Sequence, residues 1–195
     1  MPRCDRPTCR CHGRTFLWVS HYHRYIWCEI PKSASTTLKK VLPRRRENQL
    51  EHDELETLGD EYTAFGVVRN PWDRLLACYL MFIQFRNNTF LEMFGNRSGA
   101  MPFSDFVPRS REVRNHHWAP CSEFLAIGRP IKLIRFETFE ESLVAMCRCL
   151  DCDVGTVSHW NKSEPRCYRE FYDDDMAQVV AEAYADDIAL GRYAF

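Results

Sequence analysis

The sequence predicts an α/β fold with a central, mostly parallel sheet flanked by helices. Apolar runs of strand length recur at residues 25–30 (YIWCEI), 64–68 (AFGVV) and 131–136 (IKLIRF). Each is followed by a stretch with helical features, and strands alternating with helices pair in parallel through crossovers. The middle run is continuously apolar rather than alternating, as expected of a strand covered on both faces. The 195 residues suit one domain with its own core, expected over 15–195 behind a flexible Cys- and Arg-rich arm at 1–14.

Composition narrows the class. Hydrophobic residues make up 45% and charged residues 27%, as in ordinary soluble globular proteins. A net charge of −1 provides no basic field for nucleic acid. No apolar stretch has the length of a membrane span. The first residues are charged, with no apolar segment behind them, so no signal peptide is read and a cytoplasmic location is expected. Ten cysteines are many for such a chain. Without an export signal, disulfides are not the default. Cys149 and Cys152 have a zinc-like spacing but no second pair, and Cys4, Cys9 and Cys11 are irregularly spaced before His12. Buried or free thiols and no metal site are the expectation.

The elements follow in order. Residues 15–20 (TFLWVS) read as a short strand or edge element, with His21, Tyr22 and His23 turning into the first core strand at 25–30. A helix is expected over 36–42, stopped by Pro43, and the basic triplet Arg44, Arg45 and Arg46 lies beyond it. That triplet is either a solvated face or a hold for an anionic acceptor. Residues 52–58 form a short helical or loop segment before the buried strand at 64–68. Asn70 can cap the next helix and Pro71 suits its first position. Leu75, Leu76, Tyr79, Phe82 and Ile83 make its core face through about residue 86. Residues 87–108 read as a loop-rich excursion. After the strand at 131–136, Thr138 is placed to cap a helix to about residue 150, with Glu141 in the capping-box position. A last amphipathic helix is expected from Asp173 to about 188.

The chemistry sits where the first core strand turns into its helix. A strand-to-helix turn aims backbone N–H groups and the positive helix end at one point, a natural anion site. Lys32 adds a charge, and Ser33, Ser35, Thr36 and Thr37 add hydroxyls. No glycine occurs between Ile26 and Leu42, and the lysine comes first, so this is not a Walker loop. An ordinary turn with exposed polar residues would read the same from this stretch alone. A second anion group, Arg69, stands at the carboxyl end of the next strand, where ligands gather in open α/β sheets. Arginine can meet a phosphate with two parallel hydrogen bonds. A nucleotide phosphorylated at both its 5′ and 3′ positions needs two such sites.

Pro31-Lys32-Ser33-Ala34-Ser35-Thr36-Thr37-Leu38 followed by Val68-Arg69-Asn70-Pro71-Trp72-Asp73-Arg74-Leu75 resembles the paired motifs of sulfotransferases that use 3′-phosphoadenosine 5′-phosphosulfate (PAPS). The resemblance is to the carbohydrate, membrane-associated family 2 type. His116-His117-Trp118-Ala119-Pro120 is similar to its His-Trp-x-Pro segment, and Phe136-Glu137-Thr138-Phe139, Asn161-Lys162-Ser163 and the terminal residues 184–195 fit its order. It covers roughly residues 25–195 and implies a P-loop-like, three-layer fold. It further implies PAPS as donor, a hydroxyl acceptor that is a carbohydrate, and no metal.

On that resemblance Lys32 stabilises the leaving phosphate. Lys32, Ser33, Ala34, Ser35, Thr36 and Thr37 hold the 5′ end, and Arg69 holds the 3′-phosphate. His52 is the first candidate for the base, with Glu51 and Glu54 nearby and His117 second; His116, His117 and Trp118 face the acceptor. Three departures stand out. Ala77 replaces the serine that binds the 3′-phosphate, so that either Ser163 or another hydroxyl replaces the contact or the 3′-phosphate is held more weakly; Cys121 stands where glutamine is common; and the Golgi anchor of many members is not seen. The alternatives are a P-loop-type nucleotide kinase or phosphotransferase, and a nucleotide- or zinc-binding protein without turnover.

Overall fold

A computed structural model describes residues 16–42, 49–50, 54–84, 94, 101–149 and 167–195. Five strands form one sheet: β1 (Leu17–Ser20), β2 (Tyr25–Cys28), β3 (Gln49–Leu50), β4 (Thr63–Val68) and β5 (Ile131–Arg135), in the spatial order β3-β1-β2-β4-β5. β2 pairs in parallel with β4, and β4 with β5; β1 is antiparallel to both β2 and β3. Every strand but β1 therefore runs the same way. The register sets Cys28 beside Gly66 and Val68 beside Arg135, so the chain leaves β2, β4 and β5 at one edge. β3 leaves there too, since Leu17 pairs with both Cys28 and Leu50.

Seven α-helices lie among the described residues: α1 (Ser35–Val41), α2 (Pro71–Gln84), α3 (Phe103–Arg109), α4 (Cys121–Leu125), α5 (Phe139–Cys149), α6 (Asp174–Ala183) and α7 (Ala185–Gly191). Strand alternation divides them between two faces. Tyr25, Trp27, Phe65 and Val67 pack against Leu38 and Leu42 at α1 and against Leu143 and Cys147 of α5. Ile26, Cys28 and Ala64 point the other way, onto Leu50, Leu55 and Ile127. Ile30 and Val68 continue that side into the largest cluster, with Trp72, Leu75, Phe106, Trp118, Val180 and Tyr184. Burying each such side chain contributes about 1.5–3 kcal/mol. Gly66 lets α4 close on the sheet, because a Cβ there would stand 2.6 Å from Leu125 Cδ2.

This is the three-layer α/β arrangement with a mostly parallel sheet. Local boundaries differ from the expectation. The strand near residue 20 is not an edge, because β3, which carries no strand-length pattern, pairs outside it. A helix, α3, lies within the stretch read as loop-rich. Thr138 ends a 3-10 turn, and its hydroxyl meets that of Ser142 at 3.4 Å, so it does not cap α5. The last helix is two, broken at Tyr184, whose hydroxyl reaches across to the Trp118 carbonyl at 2.6 Å. Asp173 does cap its first part, accepting from Met176 N at 2.8 Å. Among the described residues no helix is long and apolar enough to cross a membrane. The 1–14 arm and the Arg44–Arg46 triplet lie outside the described residues.

Candidate active site at the carboxyl edge of the sheet

The two anion motifs meet at this edge. The turn after β2 places Lys32 and Ala34 in the left-handed region, at φ 65° and 59°. Neither is glycine, and each such residue costs about 1–2 kcal/mol. Such backbone persists where its surroundings over-determine it. Ser33 N donates to the Ile30 carbonyl at 3.2 Å and Ser35 Oγ to the same oxygen at 2.7 Å. Arg74 Nε donates to the Pro31 carbonyl and Arg69 Nη1 to the Lys32 carbonyl, each at 3.0 Å. The second motif thus grips the first across 37 positions of sequence.

The one charge in the turn is Lys32. Burial, with the charge of Arg69 adding to it, holds the Lys32 ammonium below the usual lysine range, while Cys78 opposes the shift. No carboxylate pairs with Lys32 among the described residues. The Ser33 hydroxyl is buried without a hydrogen-bond partner. A buried, unsatisfied hydroxyl beside an unpaired cation is the pattern an oxyanion would complete. α1 starts here with no side-chain cap and no acidic residue in its first turn. The Ser35 hydroxyl proton is not available as expected, since it goes to Ile30. Thr36 is exposed and Thr37 half-buried.

Arg69 is fixed on three sides. Its Nε donates to Asp73 Oδ2 at 2.8 Å, its Nη1 to Lys32, and its guanidinium lies 4.2 Å from the centre of the Phe136 ring. The start of α2 is already satisfied by the protein. Asn70 Oδ1 accepts from Trp72 N at 3.1 Å and Asp73 N at 3.4 Å, as its capping role predicts. Asn70 N donates to Glu137 Oε1 at 2.8 Å. What this motif offers an anion is therefore the Arg69 side chain and not the helix end.

The histidine segment is mounted on the same frame. Arg74 is buried and donates to Ala119 O at 2.8 Å and His117 O at 3.4 Å as well as to Pro31. Cys78 Sγ donates to His117 O at 2.9 Å. Asn115 Oδ1 lies 2.9 Å from His117 N and 2.8 Å from Nδ1. Asn115 thereby fixes the orientation of the His117 ring. His116 packs against it with the rings tilted by 36° and their centres 4.0 Å apart.

Trp118, expected at the acceptor, is a core residue. It is 3% exposed, packs against Phe82, Phe94 and Phe106, and donates its indole N–H to Val113 O at 2.8 Å and Ser110 O at 3.1 Å. Burial pushes the Cys121 thiol up to about 12, so it stays protonated, and the Cys78 thiol is already bonded to the His117 carbonyl. Cys28, Cys78, Cys121 and Cys147 are buried free thiols and Cys167 is an exposed one. No cluster of metal-ligating side chains occurs among the described residues.

His52, Glu51 and Ser163 lie outside the described residues. Glu54 opens an exposed 3-10 turn, Glu54–Thr57. Asp73, Arg74, Asn115 and Phe136 were not foreseen as site residues. Arg74 sits inside the motif quoted around Arg69, and Phe136 opens the Phe136-Glu137-Thr138-Phe139 segment, but neither role shows in spacing alone.

Among solved structures, the sulfotransferase from Alicyclobacillus acidocaldarius is similar at 17% identity with a TM-score of 0.40, over 74% of this chain and 60% of that one. The chain therefore spans less than two thirds of that protein's length. No curated protein matches the sequence. The profile described as the sulfotransferase family matches residues 16–193, from the start of the sheet almost to the last residue. On that match the chain belongs to the sulfotransferase family.

Proposed function

We propose that the protein transfers a sulfuryl group from PAPS to a hydroxyl of a carbohydrate acceptor. The observation that carries this is the hydrogen bond from Arg69 to the Lys32 carbonyl, which sets two cations from separate strand ends at one place. The buried Ser33 hydroxyl and the Lys32 ammonium, both without a partner among the described residues, fit the 5′ end of the donor, with the backbone of Ala34, Ser35, Thr36 and Thr37 around it. Arg69 takes the 3′-phosphate. Ser163 supplies the hydroxyl that Ala77 lacks.

Sulfuryl transfer needs positioning and charge stabilisation more than covalent help. Lys32 stabilises the charge that grows on the oxygen between sulfur and the departing 5′-phosphate. His52 takes the proton of the attacking hydroxyl. In support, β3 ends at Leu50 on the same sheet edge as Lys32, two positions before His52. His117, its ring held by Asn115, is the second candidate for the base and with His116 orients the acceptor. The scheme routes no step through a metal.

Incubation with labelled PAPS and a panel of hydroxyl acceptors tests the reading. Lys32→Ala is expected to lower turnover by a hundredfold or more, on the order of losing one transition-state donor, with the circular dichroism of the fold unchanged. Near-normal turnover would remove Lys32 from the mechanism. His52→Ala is expected to lower turnover more than His117→Ala; the reverse order would make His117 the base.

A further inference from the structure

We propose that Arg69 and Arg74 are positioning residues for the donor turn, which they hold in its strained left-handed shape. The inference rests on the PAPS reading above and gives Arg69 a second task besides the 3′-phosphate. Their guanidinium groups pin consecutive carbonyls, Arg74 that of Pro31 and Arg69 that of Lys32. These two carbonyls bracket Lys32, the first residue of the turn with positive φ, and Ala34 takes the second positive φ two residues further on. Neither residue tolerates that backbone as glycine does. A turn left to itself would relax toward ordinary angles and swing the Lys32 side chain away. Asp73 and Phe136 in turn keep the Arg69 guanidinium aimed at the carbonyl.

The two tasks of Arg69 separate with a ligand that has no 3′-phosphate. Adenosine 5′-phosphosulfate is such a probe, and adenosine 3′,5′-bisphosphate is its counterpart. Binding of each to the full chain is measured by calorimetry. Arg69→Lys keeps the positive charge but cannot satisfy Asp73 and the Lys32 carbonyl together. It is expected to weaken adenosine 5′-phosphosulfate about tenfold, the loss of a charge-assisted hydrogen bond. Adding Ala34→Gly should restore part of that loss, since glycine adopts the turn without strain. Asp73→Asn should also weaken the probe, although removing a negative charge would by electrostatics alone tighten an anion. It serves as the test if Arg69→Lys does not fold.

Unchanged affinity for adenosine 5′-phosphosulfate in Arg69→Lys and Asp73→Asn would overturn the proposal and leave Arg69 with the 3′-phosphate alone. A loss in Arg69→Lys that Ala34→Gly leaves in full would overturn it as well. If the wild-type chain bound neither nucleotide, the PAPS reading would fail first and take this proposal with it.

Discussion

Lys32 is a half-buried ammonium beside a guanidinium, and its protonation links the site to pH. Burial and Arg69 lower its pKa from the usual 10.5. In the window between the lowered value and 10.5 the unfolded chain binds the extra proton, so this group's penalty on folding is relieved as pH rises through the folded pKa. Ligand binding has the opposite sign. A phosphosulfate favours the charged lysine, so affinity for adenosine 3′,5′-bisphosphate should fall as pH rises through the alkaline range below 10.5. Calorimetry at stepped pH checks this, and Lys32→Met should bind weakly with that dependence gone. At this scale the sequence was partly legible. Lysine, serines and an arginine in a strand-turn-helix setting announce anion chemistry. That Ser35 Oγ bonds Ile30 while Ser33 Oγ stays unsatisfied depends on turn angles that only the folded backbone fixes.

At the scale of elements, the short helices near the site are finished by side chains far away in sequence. α4 begins at Cys121 with no cap of its own, and the buried Asp187 of α7 closes it, its two oxygens accepting from Cys121 N at 2.6 Å and Ser122 N at 2.8 Å. Asp187→Ala should lower stability by about 2 kcal/mol through the loss of both bonds. A lower urea midpoint with an unchanged slope would show it. α2 shows the same principle with Glu137, which takes the Asn70 amide from the end of β5's turn. Local signals predicted what is local. Asn70 before Pro71 caps where sequence placed it, and Asp173 caps the helix that the sequence starts there. Thr138 carried an equally good local signal and lost it to the 3-10 turn that continues β5.

For the whole molecule, Arg74 is the tie between sheet edge, α2 and the histidine segment. It is 1% exposed and serves three carbonyls, those of Pro31, His117 and Ala119. Arg74→Leu removes the Arg74 bond from all three, leaving the His117 carbonyl with Cys78, at a cost on the order of 3 kcal/mol. Melting should shift down by about 6–12 °C for a chain of this size, and a shift under 2 °C would deny Arg74 that place. By itself, the sequence determined the layered α/β class, the buried strands β2 and β4 and the two motifs at their ends, because apolar runs, helix periodicity and strand-end residues are written in neighbouring positions; β5, expected to be buried, is instead a largely exposed edge strand. Only the tertiary structure decided that β3 pairs outside β1, that Trp118 belongs to the core, and that Arg69 and Arg74 lock the Lys32 turn. Those outcomes are set by which distant carbonyls and rings come within hydrogen-bond or packing reach once the sheet has formed, and no spacing along the chain encodes that reach.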